Sequence, residues 1–229
     1  MLAHLLLVTA LGISVQDHLD GTEIGDASMS LKFETGGKYA AETEAKDKTV
    51  AKGTWAVTGD SVEVKVAGCK GPQCATVGKG FKADVVLVAE RAMTVRANPP
   101  DGPLTTGSYY CHYGACEKRV GVLLVSHGAR APVMKYVLDY LIDRNVAAGG
   151  SKTVVWWSSK RLADKVPATT ITYCAREGDR AKQGAEQVAR DLAELAAIGK
   201  LTPAPSTDKD CLWDVQVTVG DDTPQPAKK

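Results

Sequence analysis

The chain has 229 residues, a formal net charge of +1, 44% hydrophobic and 24% charged residues. That is room for one large or two small globular domains of ordinary composition. The two charge signs are interspersed and no basic block occurs, which argues against nucleic acid as a partner.

The opening, "MLAHLLLVTALGISVQD", carries an apolar run from Leu5 to Ile13 followed by small residues. This is the pattern of a short secretory signal with cleavage near Gly12 to Ser14, although only His4 and the amino terminus stand where Lys or Arg is usual. Residues 1–14 are therefore read as a signal-like segment, with an ordinary strand or a mis-assigned start codon as the alternative. No later stretch approaches the ~18 consecutive apolar residues of a membrane-crossing helix, so no integral span is expected.

From Thr22 to Lys118 the chain alternates and turns often. In "SVEVKV", Val62, Val64 and Val66 alternate with polar residues, the period of a half-buried strand. Thr58-Gly59-Asp60 between two such runs is hairpin chemistry, since Gly accepts positive φ and Asp bonds its own backbone. Similar short runs recur in "SMSLKFE", "GTWAVT", "FKADVVLVAE", "AMTVRAN" and "GSYYCHYG". Residues 22–118 are expected to form an all-β meander or small barrel.

Six cysteines fall as Cys69 and Cys74, Cys111 and Cys116, Cys174 and Cys211. An even count after a signal-like start fits an oxidising compartment. "CKGPQC" and "CHYGAC" each close a short loop, which favours local bridges 69–74 and 111–116 and leaves Cys174 to pair with Cys211. Two alternatives stay open: zinc held by the two C-x4-C pairs, with His112 near, and reduced thiols in a cytosolic protein.

After Arg119 the rhythm changes. "VGVLLVS" is a continuous apolar strand, and Pro132 suits the first turn of a helix. Met134, Val137, Leu138, Leu141 and Ile142 then recur at helical spacing. "KTVVWWSS" and "ATTITYCARE" read as strands. A second helix carries Ala185, Val188, Ala189, Leu192 and Leu195 on one face, and "LWDVQVTVG" closes as a strand. The order β-α-β-β-α-β over residues 119–222 predicts a ferredoxin-like sandwich, with 223–229 as a polar tail. The fold class expected for the chain is thus α+β: a β-rich domain followed by a ferredoxin-like one.

Two resemblances accompany these readings. Phe33, Gly37, Tyr39, the Gly53–Trp55 stretch and Gly59-Asp60 weakly resemble the start of lipocalin-like β-domains of bacterial envelope proteins. That resemblance implies a barrel able to hold something apolar. The strand "VGVLLVSHGA" with its following helix, "TTITYCAREGDRAKQGAEQVARDL" and "DVQVTVG" resemble the C-terminal domain of LytR–CpsA–Psr proteins, a module of wall-polymer enzymes and other envelope proteins. The large transferase domain of that family is missing, so what the resemblance implies is an extracytoplasmic accessory or binding module.

One motif invites an enzymatic reading. Ser126, His127, Gly128, Ala129, Arg130, Ala131 and Pro132 nearly spell R-H-G-x-R-x-P, the nucleophile loop of histidine acid phosphatases. The first Arg is replaced by Ser126, and the remaining histidines, His4, His18 and His112, all precede His127. A missing oxyanion clamp alone costs about 3 kcal/mol of transition-state stabilisation. Without a second His or a general acid, the motif reads better as a strand-to-helix turn.

The residues that remain candidates for ligand contact are Trp156 and Trp157, adjacent on a strand and so on opposite faces, with His127 and Arg130 behind them. No catalytic residue, metal or cofactor is expected. The function expected is non-catalytic and extracytoplasmic, periplasmic or otherwise secreted: binding a cell-wall polymer or an envelope partner protein. The alternative is a small apolar-ligand carrier using the β-rich domain, and a phosphatase relic is a distant third.

Overall fold

The computed structural model describes residues 14–25, 28–89, 92–99, 102–112, 114–127, 131–147, 153–162, 166–195, 200–209 and 211–223. The signal-like stretch before Ser14 lies outside them. The chain divides into two units, Met1–Lys118 and Arg119–Lys229.

The first unit opens with a short helix, α1 (Val15–Leu19), capped by the Ser14 hydroxyl, which accepts from the Asp17 amide. Strands β1 (Thr22–Gly25), β2 (Met29–Glu34), β3 (Lys38–Thr43) and β4 (Val50–Thr58) follow, each antiparallel to the last. Next come β5 (Ser61–Lys70), a single helical turn α2 (Cys74–Val77), β6 (Phe81–Ala89), β7 (Ala92–Asn98) and β8 (Gly107–His112), again antiparallel neighbours. The ninth strand, β9 (Ala115–His127), lies beside β8, and its first residues pair with β1: Glu23 with Ala115, Ile24 with Cys116, Gly25 with Glu117. The circuit closes as a nine-stranded barrel. An odd number of alternating strands leaves the first and last pointing the same way, which is why the closing pair is parallel.

Local sequence explains the bends. The β4–β5 hairpin turns on Gly59 at φ +61°, with Thr58 opposite Ser61. At Gly53 the register slips, and a Cβ there would stand 2.0 Å from the Lys65 carbonyl oxygen. Only glycine fits that bulge. Inward positions hold Leu31, Phe33, Tyr39, Trp55, Val62, Val64, Phe81 and Met93 in one buried cluster. Phe33 meets Tyr39 and Trp55 edge-on at 5.8 and 5.5 Å, and Tyr39 meets Phe81 at 6.0 Å. Barrels of this size are filled by side chains, and these rings do the filling. The Trp55 indole donates to the Glu34 carbonyl at 3.0 Å. The Tyr39 hydroxyl has no hydrogen-bond partner among the described residues, and burial raises its pKa well above the ordinary tyrosine value.

The second unit contains the rest of β9, helix α3 (Ala131–Ala147), β10 (Thr153–Leu162), β11 (Thr170–Tyr173), a 3-10 turn (Ala175–Glu177), helix α4 (Gly178–Ala193), β12 (Ala204–Pro205) and β13 (Val215–Val219). The sheet runs β10-β9-β13-β11-β12. β9 is parallel to both β10 and β13, while β11 is antiparallel to β13 and parallel to β12. Val122 and Leu124 of β9 join Val133, Met134, Val137 and Leu141 of α3 and Ala185, Val188, Ala189 and Leu192 of α4 in one core. Both helices thus cover a single face. α4 comes close because its buried stripe is small: Gly184 sits where a Cβ would meet Val120 Cγ1 at 2.6 Å.

This architecture corrects the expected fold class. The first half is a closed barrel that needs β9 as its last stave, and the second is not a ferredoxin-like βαββαβ sandwich. That sandwich would seat the third strand beside the first. Here β9-α3-β10 is a direct parallel crossover to a neighbouring strand, and β13 occupies the other side of β9. A continuous apolar run such as "VGVLLVS" belongs to a central strand with parallel neighbours, and that is the position β9 takes. The helical stripe is also narrower than expected, since Ile142 is 42% exposed.

Candidate functional site

Alternation along β9 decides which residues of the second sheet face away from the helices. Val122 and Leu124 point into the helical core, so Leu123 points the other way. Trp156 of β10 pairs with Leu123 on one side, Gln216 of β13 pairs with it on the other, and Thr172 of β11 pairs with Gln216. Thr218 and Thr170 continue the next row of the same face. An indole and a ladder of hydroxyl and amide side chains therefore share one sheet face.

A second indole joins it from outside the strands. Trp213, just before β13, brings its ring centroid to 6.5 Å from that of Trp156, tilted by 55°. Both indoles are half-buried. The Trp156 N–H has no hydrogen-bond partner among the described residues.

Trp213 is held from both ends. Two residues before it, Cys211 is bonded to Cys174, and the Arg176 guanidinium donates to the Cys211 carbonyl at 2.9 Å. One residue after it, the buried Asp214 carboxylate accepts from the Gly121 amide at 2.7 Å and pairs with Arg180 at 2.6 Å. Arg180 also pairs with Glu177 at 2.7 Å and donates to the Arg119 carbonyl at 3.2 Å. The Cys174 amide donates to the Asp214 carbonyl. A buried carboxylate is tolerable only with such partners, and their consequence is a tryptophan with a fixed place.

Sequence reasoning found Trp156 but passed over Trp213. The overlooked signal was "CLWD", an aromatic residue between a disulfide cysteine and an acid that opens an apolar strand. The side chains of Trp157 and His127 and all of Arg130 lie outside the described residues. The backbone of His127 ends β9 and Ala131 and Pro132 open α3, so the described residues of the phosphatase-like motif belong to a strand end and a helix start.

All six cysteines are paired: Cys69–Cys74, Cys111–Cys116 and Cys174–Cys211. With the sulfurs in disulfides, the two C-x4-C pairs do not present thiolates for zinc in this state. Three disulfides are the chemistry of an oxidising, extracytoplasmic compartment. No helix among the described residues is long and apolar enough to cross a membrane. His18, half-buried, places its Nε2 3.4 Å from the Cys111 sulfur, and burial lowers the imidazole pKa from its ordinary value.

On the helical side, Asp139 pairs with Lys135 at 2.7 Å on the exposed surface. Arg144 lies over the Tyr140 ring at 5.3 Å, bonds its hydroxyl and pairs with Glu194. These are packing and solvation contacts.

Comparison of the chain with protein-family models, with curated proteins and with solved structures finds no match.

Proposed function

We propose that this is a non-catalytic extracytoplasmic binding protein of the bacterial envelope, and that the Trp156–Trp213 face of its second unit receives a wall polysaccharide. The observation that carries the reading is the pair of half-exposed indoles beside a row of Gln216, Thr172 and Thr218 on one sheet face. Sugar rings present apolar C–H faces that stack on indoles and hydroxyls that exchange hydrogen bonds with amide and hydroxyl side chains. The fixed position of Trp213 supports it as well, because a preorganised aromatic binds at low entropic cost. The resemblance of residues 119–222 to the LytR–CpsA–Psr C-terminal domain points in the same direction.

The test is co-sedimentation of the full chain with purified wall sacculi at moderate salt. The wild-type chain is expected in the pellet, and Trp156→Ala or Trp213→Ala is expected to lower affinity by about thirtyfold, the loss of an aromatic anchor worth roughly 2 kcal/mol. Wild-type protein left in the supernatant would defeat the polysaccharide reading and turn attention to a protein partner on the same face.

A second reading, a small apolar-ligand carrier, is favoured by the closed barrel, which fits a lipocalin-like fold. The ring contacts of Phe33, Tyr39, Trp55 and Phe81 leave it weaker, since they occupy the interior such a ligand needs. A lipid-sized adduct in a native mass spectrum would revive it.

A further inference from the structure

His18, Cys111 and Cys116 come from three elements, α1, β8 and β9, and meet where β1 closes the barrel against β9. The donor atoms of the three residues all lie within 4.8 Å of one another, and His18 Nε2 is 3.4 Å from Cys111 Sγ. Both cysteines are buried. Cys116 also lines a groove of about 490 Å³ with Glu23, Ser30, Glu44, Glu117 and Lys118.

A disulfide that only staples a hairpin needs neither an imidazole against its sulfur nor an acidic approach. One imidazole and two cysteine sulfurs are, however, a complete set for an open zinc site, in which a water takes the fourth position. With bonds of about 2.3 Å to sulfur and about 2.0 Å to nitrogen, tetrahedral ligand atoms stand roughly 3.6–3.8 Å apart. The His18–Cys111 pair is already close to that spacing.

We propose that reduction of Cys111–Cys116 converts the closing seam of the barrel into a binding site for a zinc-class divalent cation, held by His18, Cys111 and Cys116. An external dithiol supplies two electrons and two protons: the bond between the two sulfurs breaks, each sulfur becomes a thiol, and the dithiol closes to its own disulfide. Cation binding then releases the two thiol protons, with both thiolates and the Nε2 lone pair as ligands. The same sulfurs serve both states, so disulfide and cation exclude each other. The carboxylates of Glu23, Glu44 and Glu117 raise the local cation concentration along the groove that leads to Cys116.

The test uses the full chain reduced with a dithiol, desalted without oxygen and titrated with Co(II) as the zinc surrogate. Wild type is expected to bind one equivalent more than Cys111→Ser/Cys116→Ser, with a thiolate-to-cobalt absorption band that the oxidised chain lacks. His18→Ala is expected to weaken that equivalent by about tenfold or more. Equal stoichiometry in wild type and the cysteine variant, or equal affinity in His18→Ala, overturns the proposal. Should reduction loosen the barrel, the near-UV signal of the chain's aromatic residues gives the second readout. Co(II) must then restore that signal in wild type and fail to do so in His18→Ala; any other result also overturns it.

Discussion

The two units deal with the edges of a β-sheet in opposite ways. The barrel abolishes them, because every strand from β1 to β9 has a neighbour on each side. The second sheet leaves β10 and β12 at its margins and blunts the β12 side instead. β12 is only Ala204–Pro205, and a proline offers no amide to a new strand. The ties that hold each unit differ in the same sense. The barrel is stapled by two bridges of sequence separation 5, the open sheet by one of separation 37. Closure lets local ties suffice, whereas an open sheet depends on ties between distant segments.

That contrast is open to direct attack. In the chain-entropy account, Cys174→Ser/Cys211→Ser should cost about 4 kcal/mol and Cys69→Ser/Cys74→Ser about 2 kcal/mol. Urea unfolding of the two variants under oxidising conditions measures both, and equal losses would break the distinction. Between the two in size is Arg180→Ala, which removes the ion-pair partner of an Asp214 side chain that is 2% exposed. About 3 kcal/mol is expected, read in the same denaturation curve, with a matching loss of wall binding as Trp213 is released.

Smaller still is the pH response of the barrel. Burial lowers the folded-state pKa of His18 below its ordinary 6.5. The stability tied to its neutral form is therefore complete above pH 6.5 and is lost as pH falls through the lowered value. His18→Gln should flatten the fall in melting temperature on that acidic side, and an unchanged slope would count against it. Smallest of all is Lys135→Ala, which removes an exposed helical pair and should shift stability by no more than about 0.5 kcal/mol.

How much of this was legible in the sequence follows from the range of the interactions. The alternation of Val62 and Val64, the turn at Gly59 and the buried stripe of α4 are set by neighbours in the chain, and they stand as read. The pairings of Cys69 with Cys74 and Cys111 with Cys116 are legible for the same reason. Barrel closure is not, because it rests on Ile24 finding Cys116, and the four residues of β1 carry little pattern of their own. The strand order of the second sheet was misread because "TVVWWSS" and "DVQVTV" are equally fit to lie beside β9, and nothing local says which neighbour each takes. The loop "CHYGAC" and the strand "VGVLLVS" also read as separate pieces, although Ala115 to His127 is a single strand of 13 residues. The site shows the same division. Trp156 could be picked out by its own chemistry, but its companionship with Trp213 is set by a carboxylate and a disulfide that only the fold brings together.

The parallel seam has one more consequence. Among the described residues it is three residue pairs long, against nine between β4 and β5. A cylinder held by rungs of unequal number parts along the shortest row, and once parted it is a flat ribbon with two raw margins. Such margins invite a second molecule to dock strand against strand. Cys111–Cys116 fastens β8 to β9 beside that row, and α1 leads straight into β1 on its other side. Both lie where a rivet best keeps monomers from joining into aggregates.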